Sequence, residues 1–115
     1  MGLIYCAACP CGFQKEDLFL GGGMRGPPEQ TLWPAFCSEC SDLVLIDLAH
    51  PEQPCPNCGA PAPLRYDDPA LIGARHEKNS MTSFTWGDEE LPSASFQCPK
   101  CREHRMKFFM AGAWD

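Results

Sequence analysis

A small β-rich fold stabilised by metal, built as two ribbons with one nested inside the other, is the architecture this sequence predicts. Three observations carry that prediction. Nine cysteines occur in 115 residues, gathered into an N-terminal cluster, Cys6, Cys9 and Cys11, and three Cys-x-x-Cys pairs, Cys37/Cys40, Cys55/Cys58 and Cys98/Cys101. A Cys-x-x-Cys turn, or knuckle, aims two thiolates and several backbone N–H groups at one point, so two facing turns make a tetrahedral sulfur cage for zinc. Eight ligands imply two zinc ions per chain. Twelve prolines and ten glycines favour turns over long helices. Lobes this small bury too little apolar surface to offset chain entropy, which leaves metal ligation to supply much of the folding free energy.

Taken in order, the first element is a knuckle with three cysteines for two places. Cys6 and Cys9 have the standard spacing, but Cys11 precedes Gly12, the glycine that usually follows a second ligand. Cys9-Pro10-Cys11 would make a tight two-ligand turn, with Cys6 the next candidate. Phe13–Leu20 then reads as a strand leading into Gly21-Gly22-Gly23, a turn or lip beside the metal. That glycine run lacks the Gly-Lys-Ser/Thr ending and the following helix of a phosphate loop. The clearest module runs over 36–66. Its knuckles Cys37/Cys40 and Cys55/Cys58 are separated by residues 41–54, one ribbon's length, with Leu43–Leu48 as a strand, His50–Pro54 as the return turn and Pro63–Tyr66 as a short pairing strand. Gly59 suits the close of its knuckle, where the backbone often needs positive φ. Ser41 departs from that pattern.

Residues 67–94 read as a long acidic loop, partly ordered by Phe84 and Trp86. After Cys98/Cys101, Arg105–Met110 is a further strand candidate. The inner knuckles are self-sufficient in spacing, so the N-terminal cluster is expected to join Cys98/Cys101, making 1–35 and 95–115 an outer ribbon around the inner one. A sequential pairing, first with second and third with fourth, is the alternative. Both ribbons would be rubredoxin-like.

Charge and compartment narrow the function. The formal charge of −6 falls to about −10 once eight thiols lose protons and two divalent ions bind. This balance repels phosphate backbones, and the basic cluster Lys100, Arg102, His104, Arg105 and Lys107 reads as a solvated knuckle softening the thiolate field. The N-terminus carries no charged leader or apolar run of signal-peptide length, and no segment reaches the roughly 20 apolar residues of a membrane span. A cytoplasmic protein without membrane contact is expected, and thiols there stay reduced, which favours metal over disulfides. His50, His76 and His104 sit in turns without a paired nucleophile, and four thiolates close the shell that catalytic zinc keeps open. His104 is close enough to Cys101 to substitute as a ligand if Cys9 or Cys11 is unused. No catalytic or cofactor-binding residue beyond the cysteines is expected. The expected role is non-catalytic, a module presenting Trp33-Pro34, Trp86 and Trp114 to a protein partner. A rubredoxin-like iron electron-transfer protein and a nucleic-acid-binding ribbon are the alternatives.

The segments Gly2-Leu3-Ile4-Tyr5, Cys11-Gly12-Phe13, Leu18-Phe19-Leu20-Gly21-Gly22-Gly23-Met24, Tyr66-Asp67-Asp68-Pro69 and Trp114-Asp115, with the intervening Cys-x-x-Cys pairs, are spread over nearly the whole length of the chain. Together they resemble a family of small uncharacterised bacterial zinc-ribbon proteins. The resemblance implies a bacterial, cytosolic, zinc-bearing protein and carries no activity with it. Family members resembled here have an ordinary Cys-x-x-Cys-Gly first knuckle, whereas this chain has Ala8 in the earlier ligand's register beside Cys9.

Overall fold

The computed structural model describes residues 2–21, 31–48, 50, 52–61, 63–77, 82–86 and 89–114. These form ten strands and one short 3₁₀ turn. The strands are β1 (Gly2–Ala8), β2 (Gln14–Leu20), β3 (Leu32–Cys37), β4 (Asp42–Asp47), β5 (Leu64–Arg65), β6 (Ile72–Arg75), β7 (Phe84–Trp86), β8 (Glu89–Leu91), β9 (Ala94–Gln97) and β10 (His104–Trp114), with the turn η1 at Pro69–Leu71. A five-stranded sheet has the order β2-β1-β10-β9-β6, a three-stranded sheet has β4-β3-β5, and β7 pairs with β8.

Chain ends meet in the larger sheet. β1 runs antiparallel to β10 from Gly2 opposite Trp114 to Ala8 opposite Lys107, with a bulge between Ile4 and Tyr5. Along β10, Met106 and Phe108 are buried while Arg105, Lys107 and Phe109 are exposed, the two-residue alternation of a strand with one face on a core. Tyr5, Ala7, Leu18 and Leu20 extend that face across β1 and β2.

β3 and β4 pair without interruption from Leu32 opposite Asp47 to Cys37 opposite Asp42. Pro34 stands in the middle of β3, where a proline ordinarily argues against a central strand. Its position accounts for the exception. In a strand the N–H and C=O of one residue point the same way, and the Pro34 carbonyl accepts from Tyr66 N at 3.1 Å on the β5 side. The missing donor therefore faces the side where β5 covers only Ala35 and Phe36, and the β3–β4 ladder is unbroken.

The core lies between the two larger sheets. Tyr66, just after β5, packs on Phe36 of β3 at 6.4 Å and, edge-on, on Phe96 of β9 at 6.1 Å and Phe108 of β10 at 5.5 Å. Phe84 of β7 closes the other end against Tyr5 and Trp33, at 5.6 and 5.5 Å. Trp33 and Pro34, expected as exposed contact residues, are fully buried here. Trp33 instead donates its indole N–H to Asp67 at 3.2 Å. The side chains of Trp86 and Trp114 lie outside the described set, as does the glycine run beyond Gly21.

Segment 67–94, expected as a long acidic loop, contains η1, β6, β7 and β8. Asp68 caps η1 by accepting from Ala70 N at 2.9 Å, and β6 adds to the larger sheet by pairing with β9. Strands of three or four residues, one of them interrupted by Gly73, leave no readable period. β3 also starts at Leu32, so the inner sheet begins before the boundary set at 35.

Candidate metal centres

Three of the four cysteine turns are closed by backbone hydrogen bonds of closely similar design. At Cys98, the Cys98 N–H donates to Glu103 O at 2.8 Å and Arg102 N donates back to Cys98 O at 2.9 Å. At Cys55 the same pair recurs, Cys55 N to Ala60 O and Gly59 N to Cys55 O, both at 2.9 Å. The first turn of the chain is one residue tighter: Cys9 N donates to Phe13 O at 2.9 Å and Gly12 N to Cys9 O at 3.0 Å. That shortening suits Cys9-Pro10-Cys11. N–H groups also point at sulfur, from Lys100 and Cys101 to Cys98 Sγ at 3.3 and 3.5 Å and from Asn57 to Cys55 Sγ at 3.4 Å.

These turns bring eight sulfurs into two groups, Cys9, Cys11, Cys98 and Cys101 in the first and Cys37, Cys40, Cys55 and Cys58 in the second, each with its Sγ atoms within 4.8 Å of one another. In the first, Cys9 and Cys101 are 3.7 Å apart and Cys11 and Cys98 3.6 Å. In the second, Cys37 and Cys58 are 3.6 Å apart and Cys40 and Cys55 3.9 Å. A regular tetrahedron with a zinc–sulfur bond of about 2.3 Å has an edge of about 3.8 Å. A disulfide needs about 2.0 Å, and all nine cysteines are free thiols. The residues present fit a metal.

Of the three N-terminal candidates, Cys9 and Cys11 enter the first group and Cys6 enters neither. Cys6 is half-buried on β1, opposite Phe109. It lies before the turn whose positive-φ step is Gly12, at +104°, so the ladder holds it away from the point where the knuckle aims. His104 is not drawn into the group either; its Nε2 lies 3.1 Å from Ala70 O. His50 pairs with Asp47 at 3.3 Å and His76 with Ser95 Oγ at 3.2 Å, which places the three histidines at separate sites.

The thiols repel further ionisation. Backbone N–H donation from Phe13 holds Cys11 down to about 7, while burial, assisted by the neighbouring thiols, pushes Cys9 up to about 12 and raises Cys98. Burial raises Cys55 too, but the N–H groups of Cys58 and Asn57 outweigh it and bring that thiol to about 7. Against the N–H of Ala60, burial and three neighbouring thiols drive Cys58 to about 12; against the Asn57 amide, burial and the Cys37 and Cys55 thiols leave Cys40 raised. Cys11 thus takes negative charge more easily than Cys9 or Cys98, and Cys55 more easily than Cys40 or Cys58. A divalent cation at the centre reverses that balance and makes four thiolates favourable. With four sulfurs around it, such an ion has no open position for a substrate.

Sequence reasoning missed three neighbours of the second group. Asn57 donates its amide to Cys40 Sγ at 3.5 Å. Arg102 reaches Ser38 and Ser41 from the other group. A groove of about 360 Å³ beside Cys37 is lined by Phe36, Pro61, Pro63, Leu64 and Leu71. The missing glycines after Cys40 and Cys101 were the available signal for the Arg102 contact. No protein-family model, curated protein or solved structure matches the chain.

Proposed function

We propose that the chain is a non-catalytic zinc protein of the bacterial zinc-ribbon kind it resembles, with two rubredoxin-like ribbons, the inner inserted in the outer, serving in the cytoplasm as a protein-interaction module. The observation that carries this reading is the pair of all-sulfur groups with tetrahedral spacing. Cys9, Cys11, Cys98 and Cys101 would hold one ion and Cys37, Cys40, Cys55 and Cys58 the other, each ion supplying a cross-link rather than a reactive centre. Soft thiolates select zinc, iron or copper(I) over hard cations, and four thiolates would fill the shell that a catalytic ion keeps open, which favours a structural ion. Among the described residues no helix is long and apolar enough to cross a membrane.

Partner binding is supported by the groove beside Cys37, whose rim carries Leu64, 41% exposed. A largely apolar groove, with Ser38, Glu39 and Gln97 also in its lining, presents a preformed surface at little ordering cost. Native mass spectrometry with elemental analysis, on protein purified without added metal, tests the assignment. Two zinc per chain is the expected result. Iron with a visible spectrum that bleaches on reduction would replace this reading with electron transfer, for which the exposed Cys58 offers an outlet.

A further inference from the structure

All four knuckles place the residue after their second cysteine in left-handed backbone. Gly12 has φ +104° and Gly59 φ +78°; Ser41 has φ +52° and Arg102 φ +64°. Glycine takes this conformation freely, whereas a side chain strains it. Two knuckles therefore end on the locally preferred residue and two do not. The two that do not belong to different metal groups, and their side chains meet. Arg102 Nη2 donates to Ser41 Oγ at 2.7 Å and to Ser38 O at 3.2 Å, and the guanidinium lies 4.9 Å from the Phe36 ring centroid. Its partners at 36, 38 and 41 bracket both cysteines of the first inner knuckle.

We propose that Arg102 and Ser41 form a latch through which the outer metal centre positions Cys37 and Cys40 for the inner one. This rests on both groups holding metal. An ion bound at Cys98 and Cys101 fixes the turn from which Arg102 projects. That guanidinium then holds the Ser38 carbonyl and the Ser41 hydroxyl, so the inner knuckle is ordered before its own ion arrives. Coupling of this kind is reciprocal: an ion in the inner centre tightens the outer by the same factor. A knuckle glycine at 102 would relax its own turn and break the link, and one at 41 would relax its turn and remove the hydroxyl contact alone. A second tie from the outer centre's other arm, Lys15 to Asp42 at 3.2 Å, holds the same segment from β2.

The test compares wild type, Arg102→Gly, Ser41→Gly and the double variant, all purified with two zinc. Each is challenged with EDTA in the presence of iodoacetamide, and peptide mapping records when each cysteine becomes alkylated. Both substitutions favour the left-handed turn, so folding is retained, and native mass spectrometry confirms two ions at the start. The latch predicts that Arg102→Gly, a change in the outer knuckle, speeds alkylation of Cys37, Cys40, Cys55 and Cys58 by about fivefold. It also predicts a smaller acceleration for Ser41→Gly, which leaves the Ser38 carbonyl and the Phe36 ring to Arg102, and a double variant no faster than Arg102→Gly. Unchanged release at the inner four cysteines in Arg102→Gly, or additive effects in the double variant, would overturn the latch while leaving two metal centres in place. Wild-type cysteines that all alkylate at once without chelator would overturn the metal reading and the latch together.

Discussion

The two cysteine groups share their turn geometry but differ in what they tie together. The inner one closes a segment of about 14 residues between Cys40 and Cys55, the outer one about 86 between Cys11 and Cys98. By loop-closure entropy that difference is worth about 1.6 kcal/mol, roughly two and a half doublings at about 0.6 kcal/mol each. Surroundings differ as well. Cys98 is fully buried and follows β9 in the five-stranded sheet, while Cys58 is exposed on a surface turn. The inner group draws its four cysteines from one stretch of chain, whereas the outer draws its from both ends. One ligand set is thus a local brace and the other a global cross-link.

The sharpest way to break this comparison is to remove one ligand from each. Cys98→Ser is expected to abolish the outer ion and cooperative folding. A structural zinc is worth on the order of 10 kcal/mol, as much as the entire net stability of a typical domain at about 5–15 kcal/mol. Thermal unfolding followed by far- and near-ultraviolet circular dichroism checks it. A cooperative melt with the inner zinc alone retained would show that the outer cross-link is dispensable.

Next in size is the joint between the two halves. Tyr66→Ala removes the ring that touches Phe36 on one side and Phe96 and Phe108 on the other, at a cost of about 3–5 kcal/mol by analogy with large aromatic truncations. Its phenol also donates to Gln97 O at 2.8 Å, one residue before Cys98. Tyr66→Phe isolates that bond at about 1 kcal/mol. Urea titrations with both metals present read the two values. A loss from Tyr66→Ala below that of Tyr66→Phe would place the joint elsewhere.

Cys58→Ser is the peripheral counterpart of Cys98→Ser. It should yield a chain with one zinc and a near-ultraviolet spectrum like that of the parent, because Cys58 is exposed on a turn while the aromatic rings are buried between the two sheets. Loss of both ions on titration would mean that the inner centre, too, is global. Alkaline pH probes the outer half in another way. Burial raises the Tyr5 phenol to about 12, with its O–H donated to Ser83 O at 2.6 Å. The fold therefore prefers the neutral phenol, so this contribution is complete below pH about 10 and is lost progressively as pH rises towards 12. Tyr5→Phe should flatten that slope in pH-dependent urea midpoints, and an unchanged slope would assign the alkaline loss to other groups.

How much of this was legible in the sequence depended on how far apart the interacting residues lie. β2, β4 and β10 were visible in Phe13–Leu20, Leu43–Leu48 and Arg105–Met110, because an apolar run or alternation is a local property. The spacing of Cys37/Cys40 and Cys55/Cys58 was equally local. β3 was hidden by Pro34, whose tolerance depends on a partner strand some 30 residues away, and Trp33 read as a loop anchor for the same reason. β6 to β8 were invisible because their pairing partners, not their own sequences, define them. Cys6 and Cys11 competed on spacing, and only the turn at Gly12 separates them. The absence of glycine at 41 read as a departure, but its explanation needed Arg102, which read as part of a solvated basic cluster, to be seen beside it.

The smallest expected effect concerns the surface tie between β2 and β4. Lys15 and Asp42 are 3.2 Å apart, with side chains 38% and 28% exposed, so water and salt screen the pair, and its contribution should lie between about 0 and 1 kcal/mol. Lys15→Ala should therefore shift the urea midpoint little at low salt and not at all at 1 M, where the screening length falls to about 3 Å. The value of this small effect is what it says about the joint. Were the two halves held by charge, Lys15→Ala would rival Tyr66→Ala at low salt, and the gap between them would widen as salt screens the pair. With the joint in the buried rings, salt leaves the Tyr66→Ala loss unchanged, and the outer cross-link reaches the inner brace through the core and through Arg102.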